Sequence, residues 1–413
     1  MTPFFINNLI NGVFLFLLFT RNLQSTEGQI VLSGDDNEVS GEFSTIAGGF
    51  GNNATDPYSF VGGGYFNDAT GDYSFVGGGL GNNATEKYSF VGGGIGNDAT
   101  GASSTVSGGF NNIASSDGST IGGGKTNEAS GSTSTIGGGE KNVAAGLDST
   151  VSGGFDNIAI SEGSTIGGGD SNGAAGLDST VSGGLDNNAI GAFSFIGGGD
   201  NNEASGIRST VGGGGDNVAA GLDSTVSGGF DNIASSNGST IGGGGGNVAG
   251  AGSTVSGGVN NNAISDRSTI GGGDSNVAGG TGSTVSGGVN NNATGVFSFI
   301  GGGDNNQATG DNSIAMGKNA NAKKDRSLVI NLGNNEVSSK KDGEFLVNSD
   351  SFTLQIGKKK VTINKKNIKR FKKLLKKKNR RLEEITNQYE INEYVNQQQT
   401  IIEELHKQNE KQQ

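Results

Sequence analysis

The chain has 413 residues, of which 80 are glycine, 2 are proline and none is cysteine or tryptophan, and its formal net charge is −12 at pH 7. The lack of cysteine excludes a disulfide scaffold and thiolate metal sites. With one histidine and no cysteine, the usual nucleophile and base pairs of enzymes cannot be assembled. We therefore expect a protein without enzymatic activity, cofactor or bound metal.

Residues 1–25 contain an apolar stretch that runs from Leu9 to Phe19. Its length of about eleven residues suits the core of a secretory signal peptide better than a membrane span. However, no Lys or Arg precedes it, and the apolar run that begins at Phe4 leaves an uncleaved N-terminal membrane anchor open. Either segment predicts an extracellular or surface-exposed protein, on a cell or on a virion.

Residues 26–324 repeat a fifteen-residue unit typified by GLDSTVSGGFDNIAI. The apolar positions do not follow helical spacing, so each unit is predicted to be one β-coil and the array a β-solenoid of about 20 coils. We expect Val or Ile to face inward, Thr or Phe to face outward, and glycines to make a tight turn. A second short strand then carries Asn and Ala, as at Asn157 and Ala159. One unit, from Ala251 to Ile264, is a residue short.

The chain after the array divides into two predicted parts. Residues 325–364 alternate as strands and predict a small β-rich junction. Residues 365–413 predict a helical coiled coil, with a heptad seam at Ile368, Leu375 and Leu382. Residues 358–381 are rich in Lys and Arg and hold no acid, so an anionic surface is a possible partner there. The array is acidic, and we expect no nucleic acid along it.

Residues 310–327, GDNSIAMGKNANAKKDRS, resemble the head repeat of trimeric autotransporter adhesins of the YadA type. The resemblance extends over residues 26–330. It implies a left-handed parallel β-roll, three chains packed side by side as a homotrimer, and a neck that leads into a coiled-coil stalk. Members of that family end in strands of a membrane-anchor barrel, whereas this chain ends in EELHKQNEKQQ. We therefore expect no such anchor.

Two sets of residues are candidate sites. Aromatic residues at equivalent places in successive units should stack and form a possible binding face, and they are Tyr58, Phe60, Tyr73, Phe75, Tyr88 and Phe90, echoed at Phe193, Phe195, Phe297 and Phe299. Such a face could hold sugar rings, pack against a partner protein or join chains laterally. Four Asn-x-Ser/Thr sequons are possible glycosylation sites, at Asn53, Asn83, Asn237 and Asn292.

These features favour a non-enzymatic, secreted or surface-displayed fibrous adhesin that binds host or matrix glycans or proteins. The first alternative is a structural spacer, matrix or virion fibre protein without a receptor. The second is an ice-binding or calcium-binding solenoid. Ice binding would use the repeated hydroxyls of Ser149 and Thr150 and their equivalents. The GGGDNN strings resemble calcium-binding repeats, although the period here is fifteen residues and not nine.

Overall fold

The computed structural model describes residues 28–357 and 359–369 together with residues 398, 403, 404 and 407. The chain divides into two units, Met1–Asp223 and Ser224–Gln413. The predicted signal or anchor in residues 1–25 lies outside the described residues. Helical backbone is present at residues 365–369 and at the four single positions. Most of the predicted coiled coil also lies outside the described residues and stays a prediction.

The first unit is a parallel β-solenoid in which 26 strands of two residues each make 13 coils. The strands are β1 (Ile30–Val31), β2 (Glu38–Val39), β3 (Thr45–Ile46), β4 (Asn53–Ala54), β5 (Phe60–Val61), β6 (Asp68–Ala69), β7 (Phe75–Val76), β8 (Asn83–Ala84), β9 (Phe90–Val91), β10 (Asp98–Ala99), β11 (Thr105–Val106), β12 (Ile113–Ala114), β13 (Thr120–Ile121), β14 (Glu128–Ala129), β15 (Thr135–Ile136), β16 (Val143–Ala144), β17 (Thr150–Val151), β18 (Ile158–Ala159), β19 (Thr165–Ile166), β20 (Gly173–Ala174), β21 (Thr180–Val181), β22 (Asn188–Ala189), β23 (Phe195–Ile196), β24 (Glu203–Ala204), β25 (Thr210–Val211) and β26 (Val218–Ala219).

The strands of the first unit form two parallel ladders. Odd-numbered strands pair with one another, and even-numbered strands do the same, always with the equivalent residue of the next coil, as in Phe60 with Phe75. Neighbouring side chains in a strand point to opposite faces, so one residue of each strand is inward. The predicted parallel β-solenoid is therefore confirmed, while its left-handed course stays a prediction.

The interior of the first unit is the same in successive coils. From the second coil onward, four columns of side chains face inward: Ser before each odd strand, Val or Ile within it, Asn before each even strand, and Ala within it. Members of these columns are at most 1% exposed. The apolar columns fill the core, and the polar columns hold the turns. The predicted inward Val or Ile and outward Thr or Phe are confirmed.

The buried asparagine column was predicted to lie in the second strand, and this was wrong by one residue. Asn157 precedes β18, and its side chain connects the turn of its own coil to the turn of the next coil. Its Nδ2 donates to the carbonyl oxygens of Gly153 and Gly169, both at 3.0 Å. Its backbone N–H donates to Oδ1 of Asn142 in the preceding coil at 3.1 Å. The column thus pairs the Gly153 carbonyl and adds a second donor to the Gly169 carbonyl, which also accepts from the backbone N–H of Phe155.

The glycine turn after each odd strand is too crowded for a side chain. Gly64 has φ of +97°, and a Cβ at this position would lie 2.2 Å from the carbonyl oxygen of Gly79. Backbone conformation and close approach of the next coil therefore both require glycine. The tight glycine turn predicted from the sequence is confirmed.

The second unit continues the same architecture in its own strands. They are β27 (Thr225–Val226), β28 (Ile233–Ala234), β29 (Thr240–Ile241), β30 (Val248–Ala249), β31 (Thr254–Val255), β32 (Asn262–Ala263), β33 (Thr269–Ile270), β34 (Val277–Ala278), β35 (Thr284–Val285), β36 (Asn292–Ala293), β37 (Phe299–Asp304), β38 (Gln307–Ala308), β39 (Ile314–Lys318), β40 (Ala320–Ala322), β41 (Leu328–Asn331), β42 (Val337–Ser338), β43 (Phe345–Asn348), β44 (Ser351–Ile356) and β45 (Lys359–Asn364).

The second unit differs from the first in one short coil and in the strands at its C-terminal end. The missing residue near Ala251 is absorbed in a turn, because Thr240 still pairs with Thr254 and Val248 with Asn262. Parallel pairing continues past residue 324 to Asn348 in β43. The last two strands, β44 and β45, form a separate antiparallel hairpin. Within the described residues, no helix is both long enough and apolar enough to span a membrane.

Candidate functional site

The candidate binding face lies on three successive coils of the first unit. In the first of them the chain alternates between outside and inside, with Tyr58 exposed and Ser59 buried. Phe60 then faces outward and Val61 is buried. Since the next two coils repeat this pattern in register, all three place two rings each on the outer surface.

The six rings form two columns, a tyrosine column of Tyr58, Tyr73 and Tyr88 and a phenylalanine column of Phe60, Phe75 and Phe90. Adjacent ring centroids lie 4.7 and 5.3 Å apart in the tyrosine column and 5.0 Å apart in the phenylalanine column. These separations follow the strand spacing of about 4.7–4.9 Å, so strand register itself holds the rings in contact. The expected stacking is present, while a binding role stays a prediction.

The stacked rings cover one another's faces. The ring planes of Tyr58 and Tyr73 are 5° from parallel, and those in the phenylalanine column differ by 9° and 6°. At the end of the tyrosine column, Lys87 Nζ lies 5.0 Å from the ring centroid of Tyr88. A sugar that stacks on an aromatic ring needs a free ring face, whereas these columns offer mainly ring edges. The outer surface of the two columns is therefore made mainly of ring edges.

The tyrosine column occupies a strained backbone position. Tyr58, Tyr73 and Tyr88 have φ values of 60°, 58° and 61°, in the left-handed region that disfavours residues with a Cβ. Later coils place Ser103 and Asp148 at the equivalent position with similar φ. The fold therefore accepts small polar residues at this corner, and aromatic residues are not required for folding there. The same left-handed conformation recurs at this corner in later coils, so it belongs to the repeat and does not mark the tyrosines as functional.

A third exposed column of apolar residues was missed by the sequence analysis. It lies in the turn between the two ladders, where single parallel bridges join Phe50, Tyr65, Leu80, Ile95 and Phe110. All five side chains are exposed. The signal in the sequence is an apolar residue five positions after the outward residue of each odd strand, repeated over five coils. With the two ring columns, it extends the apolar surface of these coils over residues 43–110.

On the even strands of the same coils, Asn and Asp alternate at the outward position from one coil to the next. Asn53 Nδ2 donates to Asp68 Oδ1, and Asn83 Nδ2 donates to Asp98 Oδ1, both at 2.7 Å. Partial burial raises the pKa of Asp68 and of Asp98, and the hydrogen bond from the asparagine opposes that rise. Both acids therefore bind a proton more readily in the folded chain than in water.

The four sequon asparagines occupy two environments. Asn53, Asn83 and Asn292 are half-buried outward residues of even strands. Asn237 lies in an exposed turn. An attached glycan needs room around the side-chain amide, so Asn237 is the most accessible of the four positions. Glycosylation itself stays a prediction.

The sequence predicted a surface of Ser and Thr hydroxyls, and this prediction was wrong for the Ser residues. Ser149 is 0% exposed, because strand alternation turns it inward, and only Thr150 faces outward. The outward threonines form an unbroken row from Thr105 to Thr180, which ends where Phe195 takes the next place. Phe195 therefore stands between threonines in its own column, without the stacked neighbours of the N-terminal rings.

The described residues show little that could perform chemistry. Among them, no group of three or more His, Cys, Asp or Glu side chains is placed to hold a metal ion, so the calcium alternative finds no ligand cluster there. The strongest ion pair joins Arg208 and Asp223, one coil apart on the surface, with Nε to Oδ1 at 2.6 Å. This hydrogen bond lowers the pKa of Asp223. Its role is structural, since both groups already satisfy one another.

Three of the repeats are similar to a known family of repeats. Residues 104–115, 149–160 and 224–235 match the ubiquitous surface protein adhesin repeat. Each matched segment begins at an inward Ser and extends past the Ala of the following even strand, so it covers both strands of a coil. No curated protein matches the chain. Fold and repeat together indicate an adhesin-like repetitive protein.

Proposed function

We propose that this protein is a non-enzymatic, fibrous adhesin that is secreted or displayed on a surface and contacts its partner through residues 43–110. One observation carries the proposal: three columns of outward-facing apolar side chains, exposed or half-buried, follow successive coils on a backbone held by buried asparagines. Monomeric soluble proteins rarely expose a continuous apolar patch of this kind without a partner for it. The adhesin-repeat matches and the resemblance to YadA-type heads support the same class and a surface location.

The preferred partner is a host or matrix protein with a flat apolar surface. Ring edges and aliphatic side chains such as Leu80 and Ile95 offer shape and apolar contact, whereas the ring faces that sugars use are occupied by stacking. A protein partner is therefore favoured over a glycan. The threonine row from Thr105 to Thr180 contributes a polar surface that separates this face from the rest of the array.

Adhesion is tested with the full chain on beads, exposed to matrix proteins, cell surfaces and glycans. The test variant replaces the tyrosine column by Ser and the phenylalanine column by Thr. These replacements are chosen because Ser103 and Thr105 occupy the equivalent positions in the next coil. We expect at least roughly tenfold weaker binding, because central aromatic residues dominate interface energies. A control variant, Phe193→Ser with Phe195→Thr, should bind normally. Unchanged binding by the test variant would reject the aromatic face as the adhesive site.

We also propose that three copies assemble, partly through the β44–β45 hairpin. Cross-strand pairing puts Phe352 opposite Ile363 and Leu354 opposite Val361, which gives the hairpin one apolar face, and all four side chains are exposed. A two-stranded hairpin is marginally stable in water on its own. Packing three apolar faces around a common axis would supply the missing burial. The predicted coiled coil that follows would hold the copies together.

The oligomeric state is measured by light scattering on the full chain. A threefold mass supports the proposal, and Leu354→Ser with Val361→Ser should shift the chain toward lower mass. Thr353→Ser with Thr362→Ser, on the opposite face of the hairpin, serves as the matched control. A monomeric wild-type chain would overturn the assembly, and adhesion could then still be tested independently.

A further inference from the structure

A second apolar surface lies on the even-strand side of the later coils of the first unit. Each of the six coils that contain β16 to β26 has three outward positions there: the outward residue of its even strand and the residues two and four positions later. The large apolar side chains that are exposed at these positions are Leu147, Ile158, Ile160, Leu177, Ile190 and Ile207. This side of residues 143–222 is termed the second apolar face.

The repeat itself does not require apolar residues at these positions. In the N-terminal coils they are taken by Asn53 and Thr55 and then by Asp68, Thr70 and Asp72. Those coils bury the same interior columns as the later ones. Folding therefore does not explain the second apolar face, and a continuous exposed apolar patch is typical of a contact surface.

The second apolar face is complementary to itself when two copies lie face to face with their arrays antiparallel. Strand register places its six coils in order from Val143 to Val218. A two-fold axis between the third and fourth coils pairs the first coil with the sixth, the second with the fifth and the third with the fourth. The facing pairs then include Ile160 with Ser205, Ala175 with Ile190, and Leu177 with Ala192. Each pair joins a large side chain to a small one, which fills the space of about 10 Å between packed sheets.

A parallel arrangement of the two copies fits less well. Equal coils would then face each other, and the central column would pair Ile160 with Ile160 and Ala175 with Ala175. Large side chains would hold the sheets apart where small ones leave voids, and both effects cost packing energy.

The acids of the face are compatible with the antiparallel pair. Among the eighteen outward positions of these six coils, all of which the structure describes, the acids are Glu162 and Glu203. Both lie in the marginal columns, where a carboxylate keeps access to solvent. In the antiparallel pair Glu203 faces Ile158 and Glu162 faces Ile207, so neither acid meets another acid.

We infer that the second apolar face binds the same face of a second copy, with the two arrays antiparallel. The contact is isologous, so it closes on itself and joins two copies. Copies that are held together at their C-terminal ends run parallel, so the antiparallel copy belongs to a different assembly. The contact therefore links separate fibres to one another, which is a function beyond adhesion.

The size of the face sets the strength of the link. Six coils at the strand spacing of about 4.7–4.9 Å cover about 29 Å along the array. With three outward positions per coil, the area stays below the roughly 800 Å² that each partner of a stable interface contributes. A single contact is therefore weak, and fibres that carry several such faces associate through several contacts at once.

Cross-linking tests the antiparallel register. The chain has no cysteine, so an introduced cysteine is its only thiol. Full-length Val143→Cys and Val218→Cys are purified separately, mixed, and treated with a short bismaleimide. We expect a cross-linked dimer in the mixture and at least roughly tenfold less in either variant alone, because equal positions lie about 24 Å apart across the two-fold axis.

The control for cross-linking uses the threonine row on the other ladder. A mixture of Thr150→Cys and Thr180→Cys should give no cross-linked dimer. Lack of a dimer in the test mixture would overturn the inference. Cross-linking of either test variant with itself as strongly as in the mixture would indicate a parallel contact and would also overturn it.

An exchange of side-chain size tests the shape of the contact. Ala175→Ile fills the space that Ile190 of the second copy occupies, and Ile190→Ala leaves that space empty. Analytical ultracentrifugation of the full chain should show association weakened at least roughly threefold by either change alone. The two changes together exchange the large and the small residue and should restore association. Lack of this rescue, or a wild-type chain whose mass does not increase with concentration, would contradict the inference.

A charge variant separates this contact from adhesion. Ile160→Lys with Ile190→Lys places ammonium groups inside the apolar contact and should abolish association, while bead binding through residues 43–110 stays normal. Thr150→Lys with Thr180→Lys is the matched control and should associate normally. Association that survives the changes at Ile160 and Ile190 would overturn the inference. Adhesion is scored on the same samples, so either proposal can fail alone.

Discussion

The coils of residues 41–100 and those of residues 101–220 share one interior and differ on the outside. Both bury the same columns of Ser, Val or Ile, Asn and Ala. Outside, the first set carries the stacked tyrosine and phenylalanine columns, and the next coil of the second set has Ser103 and Thr105 at the equivalent positions. The interior therefore specifies the fold of each coil, and the outer columns are free to specify what a given stretch contacts.

The largest expected effect comes from adding a side chain to the glycine turn that both regions share. Gly79→Ala and Gly154→Ala would each place a Cβ 2.1–2.2 Å from a carbonyl oxygen of the next coil, at positive φ. We expect each to lower the free energy of unfolding by more than about 3 kcal/mol. Chemical denaturation of the full chain measures this. Gly81→Ala is the control, since nothing lies within 4 Å of its Cβ position. Equal tolerance of all three changes would contradict the crowded turn.

The buried asparagine column should give the next largest effect, again equal in both regions. Asn82→Ala and Asn157→Ala remove two donors to turn carbonyls and one acceptor for a backbone N–H. One turn carbonyl and the backbone N–H of the next asparagine are left unpaired, while the second carbonyl keeps its backbone donor, and this should cost about 2–3 kcal/mol in each case. Urea denaturation of the full chain compares the two variants. A large difference between them would show that the interiors of the two regions are not equivalent.

Replacing the outer residues of one coil should weaken binding while the coil stays folded. Tyr73→Ser with Phe75→Thr removes ring stacking worth about 0.5–1.5 kcal/mol per pair, whereas the left-handed strain stays, because Ser also carries a Cβ. Exposed stacking lies at the low end of that range, so we expect the free energy of unfolding to fall by about 2 kcal/mol or less. Thermal denaturation and bead binding on the same sample separate the two effects. A large loss of stability would mean that the rings are needed for the fold.

The smallest effect concerns pH and is confined to the N-terminal coils. Because burial raises the pKa of Asp68 and Asp98 in the folded state, their contribution to stability is greatest below the unfolded pKa and is lost as pH rises through the folded pKa. Asp68→Asn with Asp98→Asn should therefore stabilise the chain at pH 7, by less than about 1 kcal/mol because solvent screens these half-buried groups. The advantage should shrink as pH falls toward 4. An advantage that grows on acidification would contradict the direction of the pKa shift.

Sequence alone predicted the parts of the molecule that repeat most strictly. The fifteen-residue period, the inward Val or Ile, the crowded glycine turn and the stacking of Tyr58 on Tyr73 all follow from period and strand alternation. Two placements were wrong because they depend on which residue begins a strand: Ser149 is inside, and Asn157 precedes its strand. The third apolar column was missed, since Leu80 and Ile95 lie in a turn, where a recurring apolar residue is not accompanied by strand alternation that would assign it a face.

The uniform asparagine column has a consequence for how the chain finds its register. Every coil presents the next one with the same amide, the same two carbonyl acceptors and the same inward Ala, so a slip by one whole unit leaves the interior unchanged. Outer residues that occur in only a few coils break this degeneracy. Tyr58, Tyr73 and Tyr88 stack without a gap only when their coils are adjacent, and their stacking therefore favours the correct register of these three coils.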